Sequence, residues 1–172
     1  TDTEKDAFNG ATFHNENRVV FLEDGTAAVT WWINDGTNPG TIYSSAMPSK
    51  NVWTPPVELS NSGHNANMSK ITPGKGGDYS VIWQRPDGLN TRIQTRTYHD
   101  STSNWAAIST LSDSNYDAIW GDIASDGDNQ LSAIWVRNDG TKHIPEVKRF
   151  SLNPFITETT ITPDNSSISV SF

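Results

Sequence analysis

A fixed interval of 52 residues separates three tryptophans, and this recurrence limits the possible folds more than any other feature of the sequence. The three tryptophans, each followed four positions later by an Asp-Gly pair, are Trp31 with Asp35, Trp83 with Asp87, and Trp135 with Asp139. A period of this length indicates one supersecondary unit that is repeated along the chain. The sequence therefore predicts a repeat architecture.

Two further markers recur at the same interval in the first two copies: Trp53 with Trp105, and a Leu-Ser pair at 59–60 and 111–112. Alternating apolar residues in the second copy predict four β segments, at about 66–72, 78–84, 91–98 and 105–111. Glycine-rich and Asp-Gly links between the first segments favour tight hairpins, so successive segments are expected to be antiparallel neighbours. The third copy departs from the pattern after residue 150, and a closing strand is predicted over residues 159–162.

Four antiparallel strands repeated at this period are typical of a β-propeller blade, a sheet that buries its faces against neighbouring sheets. The prediction is a single all-β domain over residues 1–172. The blades are expected at about 13–60, 61–112 and 113–163, with flanking strands in 1–12 and 164–172. The alternative is a β-trefoil, which also has three four-stranded units, although trefoil units are usually shorter and carry a Gln-x-Trp signature.

The motifs of the first copy resemble a known class of repeat. The string D-G-x-x-x-V-x-W-x-x-x-D-G spans residues 24–36, and W-x-x-P-x-x-L-S spans residues 53–60. Together they are similar to bacterial β-propeller repeats akin to the sialidase-type, Asp-box-like blades. The resemblance implies a blade fold, and a motif of this kind specifies a fold and not a reaction.

Charge and composition narrow the classes of partner. The chain has 12 basic and 20 acidic residues, a net charge of −8, which disfavours nucleic acid and anionic membranes as partners. It has no cysteine, so disulfides and thiolate metal sites are excluded. No apolar run approaches the roughly 18 residues of a membrane span. A secreted, cell-surface or periplasmic protein without a cofactor is expected.

Tryptophans that repeat with the period are expected to be structural, because a recurring aromatic is most simply explained by packing between sheets. This structural group comprises Trp31, Trp83, Trp135, Trp53 and Trp105. Two other tryptophans do not repeat: Trp32 is replaced by Gln84 and Val136 in the other copies, and Trp120 is replaced by Met68. Since the fold does not require an indole at those positions, Trp32 and Trp120 are predicted ligand contacts.

Polar loop residues at one end of the units complete the predicted ligand surface. Turns and links there are rich in Asn, Asp, His and Tyr, which provide the hydrogen-bonding groups that a polar ligand needs. The residues selected are Arg85, Arg137, His64, Asn65, Tyr116 and Asp117. A weaker hypothesis concerns calcium, because Asp122, Asp126 and Asp128 place oxygen ligands close together in the sequence. The order of these residues is not that of a calcium loop, and a turn without metal is favoured.

Signatures of catalysis are missing from the sequence. The histidines stand in no nucleophile-elbow context and in no zinc spacing. A sialidase-like glycoside hydrolase, the alternative function, needs a cluster of arginines, a tyrosine nucleophile with its glutamate and an acid. Arg85 and Arg137, one copy apart, supply little of that set. We therefore expect a non-catalytic binding module, either lectin-like or a protein-interaction surface.

The number of units predicts self-association. Natural propellers have about four to eight blades, and three blades cannot close a ring. An open row of sheets leaves apolar faces at both ends in water. A homodimer with six blades is expected. The alternatives are a piece of a longer propeller and a trefoil, which would be a closed monomer.

Overall fold

The computed structural model describes residues 17–34, 39–48 and 52–152, together with the backbone of 159–161. These residues form thirteen strands and one short 3-10 helix, Asp100–Thr102, and the strands are arranged in three sheets whose neighbouring strands are antiparallel. The prediction of an all-β chain with antiparallel neighbours is confirmed. Within the described ranges, no helix has the length and apolar character needed to cross a membrane.

Each sheet follows the order of the chain, hairpin by hairpin. Sheet 1 contains β1 (Arg18–Phe21), β2 (Ala27–Ile33), β3 (Thr41–Met47) and β4 (Val57–Glu58). Sheet 2 contains β5 (Asn67–Pro73), β6 (Tyr79–Asp87), β7 (Asn90–His99), β8 (Asn104–Trp105) and β9 (Ser109–Thr110). Sheet 3 contains β10 (Asp117–Ser125), β11 (Gln130–Asn138), β12 (His143–Ser151) and β13 (Thr159–Ile161).

The outer edge of sheet 2 differs from the prediction. The single strand expected at 105–111 is divided into β8 and β9, both of which pair with β7. The physical reason is a change of register by one residue, because Tyr98 pairs with Trp105 whereas Thr95 pairs with Ser109. The predicted flanking strands, at 1–12 and 164–172, and the first Asp-Gly turn, at 35–36, lie outside the described residues.

The second Asp-Gly pair forms a tight hairpin, as its sequence predicts. Asp87 pairs with Asn90, so only Gly88 and Leu89 connect β6 to β7. Gly88 has φ of +70° and occupies the first of the two connecting positions, where a type II′ turn requires glycine. The Leu89 side chain is fully exposed.

The repeated Leu-Ser pair attaches the end of each outer segment to the third strand of its sheet. In sheet 1, Leu59 N donates to Ile42 O at 2.8 Å, and Ser60 Oγ accepts from Ile42 N at 2.9 Å. In sheet 2, the second Leu-Ser pair makes the same two bonds to Ile93, at 2.8 and 3.0 Å. The recurrence of this motif therefore has a backbone explanation that is independent of any ligand.

The three sheets pack face to face in chain order, sheet 1 on sheet 2 and sheet 2 on sheet 3, with first strand β5 packed against first strands β1 and β10. Two apolar cores fill the spaces between sheets. In β6, Val81 and Trp83 point into the core shared with sheet 1, whereas Ile82 points into the core shared with sheet 3. Sheet 2 thus buries both of its faces.

The tryptophans of the structural group differ in burial. Trp83 and Trp135 are buried, with 1% and 2% of their surface exposed, but Trp31 is only half-buried. Trp105 packs against Tyr79 and Tyr98, with ring centroids 5.2 and 5.6 Å away. Trp53, in contrast, is 46% exposed, which contradicts the expectation that it belongs to the core. The two tyrosines that pack on Trp105 are replaced by Ala27 and Ala46 at the equivalent positions of sheet 1, so Trp53 has no such rings to pack against there.

Candidate functional site

A β-bulge in the first strand of sheet 3 presents the Trp120 indole to solvent. Pairing moves from Ile119 with Val136 to Asp122 with Ile134, so Trp120 and Gly121 together oppose a single residue of β11. The φ of Trp120 is +57°, in the left-handed region that bulky residues rarely adopt. Such a conformation costs roughly 1–3 kcal/mol and persists only where the surroundings impose it.

Sheet 2 holds this bulge in place. Trp120 N donates to Gln84 Oε1 at 3.1 Å. A Cβ at Gly121 would lie 3.2 Å from the Cδ1 atoms of both Ile82 and Ile93, so glycine allows β10 to approach the neighbouring sheet closely. The bulge is anchored on one side, while the indole on the other side is 59% exposed.

The same bulge exists one copy earlier without an indole. In β5 the register shifts between Asn67 and Lys70, and Met68 has φ of +55°. Met68 and Trp120 are 52 positions apart, so the strained backbone belongs to the repeat. The tryptophan side chain is specific to sheet 3 and is not explained by the architecture.

A histidine side chain lies next to the Trp120 indole. The His143 ring stacks on it, with centroids 6.2 Å apart and planes inclined by 19°. His143 pairs across the sheet with Asn138, which in turn pairs with Asp117. We refer to Trp120 together with this cross-strand row of Asp117, Asn138 and His143 as the Trp120 rim.

The hairpin that carries two of these residues is fixed by a carboxylate. Asp139 Oδ1 accepts hydrogen bonds from Thr141 Oγ1 at 2.7 Å, from Thr141 N at 2.9 Å and from Lys142 N at 2.8 Å. These bonds, led by the one from the Thr141 hydroxyl, lower the pKa of Asp139 to about 2. The turn between Asn138 and His143 is therefore ordered without a ligand.

Two predicted ligand residues perform the same structural task in successive copies. Asn65 Oδ1 accepts from Gly40 N at 3.3 Å, and Asp117 Oδ1 accepts from Thr91 N at 2.7 Å. Each bond joins the start of one sheet to the second hairpin of the preceding sheet. A ligand contact is thus not needed to explain Asn65 or the Oδ1 atom of Asp117.

Trp32 lies away from the Trp120 rim and is half-buried against the core between sheets 1 and 2. Its indole covers Gly40 so closely that a Cβ there would lie 2.1 Å from Trp32 Nε1. The structure thus gives Trp32 a packing role. Its equivalent, Gln84, uses a hydrogen bond to hold the next sheet, which shows that this position serves contact between sheets.

Tyr116 and Arg137 are brought together, as expected for loops at the same end. The Arg137 guanidinium lies 4.5 Å from the Tyr116 ring centroid, and its Nε lies 2.7 Å from Glu146 Oε1. Trp135 Nε1 donates to the other Glu146 oxygen at 2.9 Å. In sheet 2 the corresponding indole donates to Gln94 Oε1 at 3.3 Å, so an amide can replace the carboxylate in this task. The Glu146 carboxylate is therefore explained by structure.

The remaining predicted residues are not gathered at the rim. Arg85 is half-buried in β6, and its Nε is enclosed without a hydrogen-bond partner among the described residues. His64 is exposed in the turn that precedes β5. In the described part of the chain, neither side chain makes a hydrogen bond or ring contact with Trp120 or His143.

The calcium hypothesis fails to find a converging set of ligands. Asp126 Oδ1 accepts from Asp128 N at 2.9 Å, and its Oδ2 pairs with Arg149 at 3.1 Å. The Asp128 carboxylate pairs with Lys75 at 3.1 Å, and Asp122 Oδ1 accepts from the next backbone N–H. Across the described ranges, no group of three or more acidic or histidine side chains is arranged to hold a metal ion.

Sequence reasoning missed His143, the residue that completes the aromatic pair. Its position relative to Trp120 depends on the β10–β11–β12 register and on the bulge, and one sequence carries no direct signal for either. The chain matches no protein-family model, no curated protein and no solved structure.

Proposed function

We propose that this chain is a non-catalytic binding module of β-propeller type, and that its Trp120 rim binds neutral glycans. The observation that carries the proposal is the exposed Trp120 indole on a strained, anchored bulge. A bulky side chain in this conformation and in water gains little packing, so its retention favours a role in recognition. We also propose, from the motifs in the sequence, that these repeats are related to sialidase-type propeller repeats.

Support for the propeller architecture comes from the way the sheets pack. Three separate antiparallel sheets are stacked face to face in chain order, and their first strands lie next to one another. Successive blades of a propeller pack on one another in the same way, which supports the proposal. A β-trefoil instead joins strands of different units into a common barrel, and the described pairings connect strands only within a unit.

The chemistry of the rim suits a sugar. The flat face of an indole stacks on the apolar C–H face of a pyranose ring, and adjacent polar groups bind its hydroxyls. His143 supplies such a group beside Trp120, and Asn138 pairs with His143 on the neighbouring strand. The net charge of −8 disfavours anionic glycans, so neutral glycans are the preferred class.

A glycan array followed by calorimetry tests this proposal. We expect binding of neutral glycans by the parent and a loss of at least about tenfold with Trp120→Ala, since removing a stacking aromatic costs on the order of 1–3 kcal/mol. Trp53→Ala is the matched control, because Trp53 is also exposed but lies outside the rim. Equal losses with both variants, or unchanged binding with Trp120→Ala, would refute the assignment to the rim.

The hydrolase alternative is tested separately with chromogenic neutral glycosides and sialosides. We expect no turnover above background. Turnover that disappears in Glu146→Gln would overturn the binding-module proposal. Glutamine can keep the bond to Trp135 Nε1, as Gln94 does for Trp83, although it removes the charge that pairs with Arg137.

A further inference from the structure

Equivalent positions of the repeat differ sharply in exposure at the two ends of the row of sheets. Ile82 and Thr30 are each 1% exposed, whereas Ile134, at the same repeat position in sheet 3, is 43% exposed. At the other end, Ile123 is 8% exposed, but its equivalent Val19 in sheet 1 is 61% exposed. The repeat therefore places apolar residues for sheet-to-sheet packing at positions where the described chain provides no neighbouring sheet.

Two faces can be defined from the strand registers. The N face is the side of sheet 1 that points away from sheet 2, and it contains Val19, Phe21, Val29, Trp31 and Tyr43. The C face is the side of sheet 3 that points away from sheet 2, and it contains Ser132, Ile134, Val136 and Val147. Phe21 is the most exposed of the large apolar residues on these two faces, with 74% of its surface in solvent.

We propose that the N face of one copy docks on the C face of a second copy, head to tail, and that two chains thereby close a ring of six sheets. This inference rests on the proposed propeller architecture. We choose a second copy as the partner because the same packing already occurs twice inside the chain. The side of sheet 1 that corresponds to the C face packs on the side of sheet 2 that corresponds to the N face, and sheet 2 packs on sheet 3 in the same way. A second copy supplies both an N face and a C face, each with exposed apolar residues.

The repeat also predicts the register of docking. Within the chain, Gly121 of β10 lies against Ile82 of the preceding sheet. Shifted by the repeat interval, Ile82 corresponds to Ile134, and Gly121 corresponds first to Ser69 and then to Asn17. Residue 17 of one copy is therefore expected to lie against residue 134 of the other copy.

Closure after two copies requires a specific rotation between successive sheets. A head-to-tail interface gives a closed ring when the accumulated rotation reaches a full turn, and otherwise gives an open filament. In a six-sheet ring each sheet turns by about 60° relative to the previous one, so three sheets cover half of the ring. Two chains then form two identical interfaces related by a two-fold axis.

Light scattering at several protein concentrations, combined with single charge substitutions, tests this assembly. The parent is expected at about twice 18.9 kDa. Phe21→Glu alters only the N face and Ile134→Glu alters only the C face, and each is expected to give a monomer because every ring contains both faces. Leu89→Glu is the control, since Leu89 is fully exposed in a hairpin turn outside both faces, and it should leave the dimer intact.

Mixing the variants separates head-to-tail docking from the symmetric alternative. A mixture of Phe21→Glu and Ile134→Glu chains retains one unaltered interface per pair, so we expect dimers to reappear in part. If Ile134→Glu alone stayed dimeric while Phe21→Glu did not, the N faces would pair with each other and the proposal would be wrong. A compact parent monomer, or dimers in both single variants, would equally overturn it.

Cross-linking provides a second measurement that does not depend on weakening the fold. The chain has no cysteine, so thiols can be placed one at a time. A mixture of Asn17→Cys and Ile134→Cys chains with a short bis-maleimide is expected to give covalent dimers, and a mixture of Asn17→Cys and Leu89→Cys chains is not. No excess of cross-linked product in the first mixture contradicts the register.

Asn138 and His143 continue the same strand faces as Val136 and Val147, so the Trp120 rim borders the C face and docking there would compete with glycan binding. Glycan binding is therefore tested in the monomeric Phe21→Glu variant, whose C face is unaltered. It is measured with Trp120→Ala in that background, whereas assembly is measured as mass, with Phe21→Glu and Ile134→Glu. A parent that binds glycan but is monomeric overturns the docking inference alone. A parent dimer, together with a monomeric Phe21→Glu chain that binds no glycan, overturns the functional proposal alone.

Discussion

At the scale of single residues, one repeat position can carry different energetic weights in different copies. Trp83 lies between two sheets and is 1% exposed, whereas Trp31 occupies the same position on the N face and is half-buried. The two side chains are chemically identical, so the difference comes only from the presence of a neighbouring sheet. Substitution at both positions therefore measures the contribution of that neighbour.

For Trp83→Ala we expect a loss of about 3–5 kcal/mol in the free energy of unfolding, as for other large buried aromatics. Trp31→Ala should cost less in the monomer, because less apolar surface is removed from the core. Urea unfolding at matched concentrations in the monomeric Ile134→Glu background measures both values. Equal midpoints for Trp83→Ala and its background would contradict the assignment of Trp83 to the core.

Backbone strain at the bulge leads to a second prediction. Trp120 has φ of +57°, which glycine adopts at a lower steric cost than other residues do. Trp120→Gly should therefore be more stable than Trp120→Ala by about 1 kcal/mol, although both lose glycan binding. Denaturant melts of the two variants provide the measurement, and equal stability would show that the bulge stores no strain.

The Asp139 carboxylate, in the turn between β11 and β12, leads to a prediction about stability at low pH. Its pKa of about 2 in the folded chain lies below the ordinary value of 3.8. The stabilisation by this carboxylate is therefore complete above about pH 4 and is lost as the pH falls through about 2. Carboxyl NMR titration should give the low pKa in the parent and a higher pKa, still below the ordinary value, in Thr141→Ala, which loses the hydroxyl bond and keeps the two backbone bonds.

At the scale of elements, the outer segments of sheets 1 and 2 depend on a few specific bonds. β4, β8 and β9 are each two residues long, so ladder pairing contributes little to holding them. The Leu-Ser pairs supply the attachment, through a buried leucine and a serine hydroxyl that accepts a strand N–H. This arrangement explains why the Leu-Ser pair recurs although most of the residues just before it differ between the two copies.

Ser112→Ala should cost about 1–3 kcal/mol, because it leaves the buried Ile93 N–H without an acceptor. Ser60→Ala, which frees the Ile42 N–H in the same way, should have a similar effect. Hydrogen exchange of these two amides checks the mechanism. Each amide should exchange faster only in its own variant, and an unchanged rate would show that the hydroxyl is not the acceptor.

At the scale of the whole molecule, stability and assembly are expected to be linked. A partner that binds only the folded chain stabilises it by mass action, so the melting temperature of a dimer rises with protein concentration. The parent and Leu89→Glu should show this rise, whereas Phe21→Glu should not. A melting temperature of the parent that is independent of concentration would indicate a chain that folds as a closed monomer.

The sequence alone determined the features that depend on spacing along the chain. The interval of 52 residues, the alternation of apolar residues and the Asp-Gly turns predicted three antiparallel β units, because local turn chemistry and side-chain period act over a few residues. The sequence also separated Trp120 from the repeated tryptophans, since a side chain that the period does not repeat is not required by the unit.

Only the tertiary structure decided which side chains are available to a ligand or a partner. Exposure depends on which sheets pack together, and this distinguished Trp31 from Trp83, assigned Trp32 to packing over Gly40, and left Trp53 in solvent. The contact of Trp120 with His143 follows from a bulge and a three-strand register. Such contacts join residues far apart in the chain, so their geometry is set by the packed sheets and has no local sequence signal.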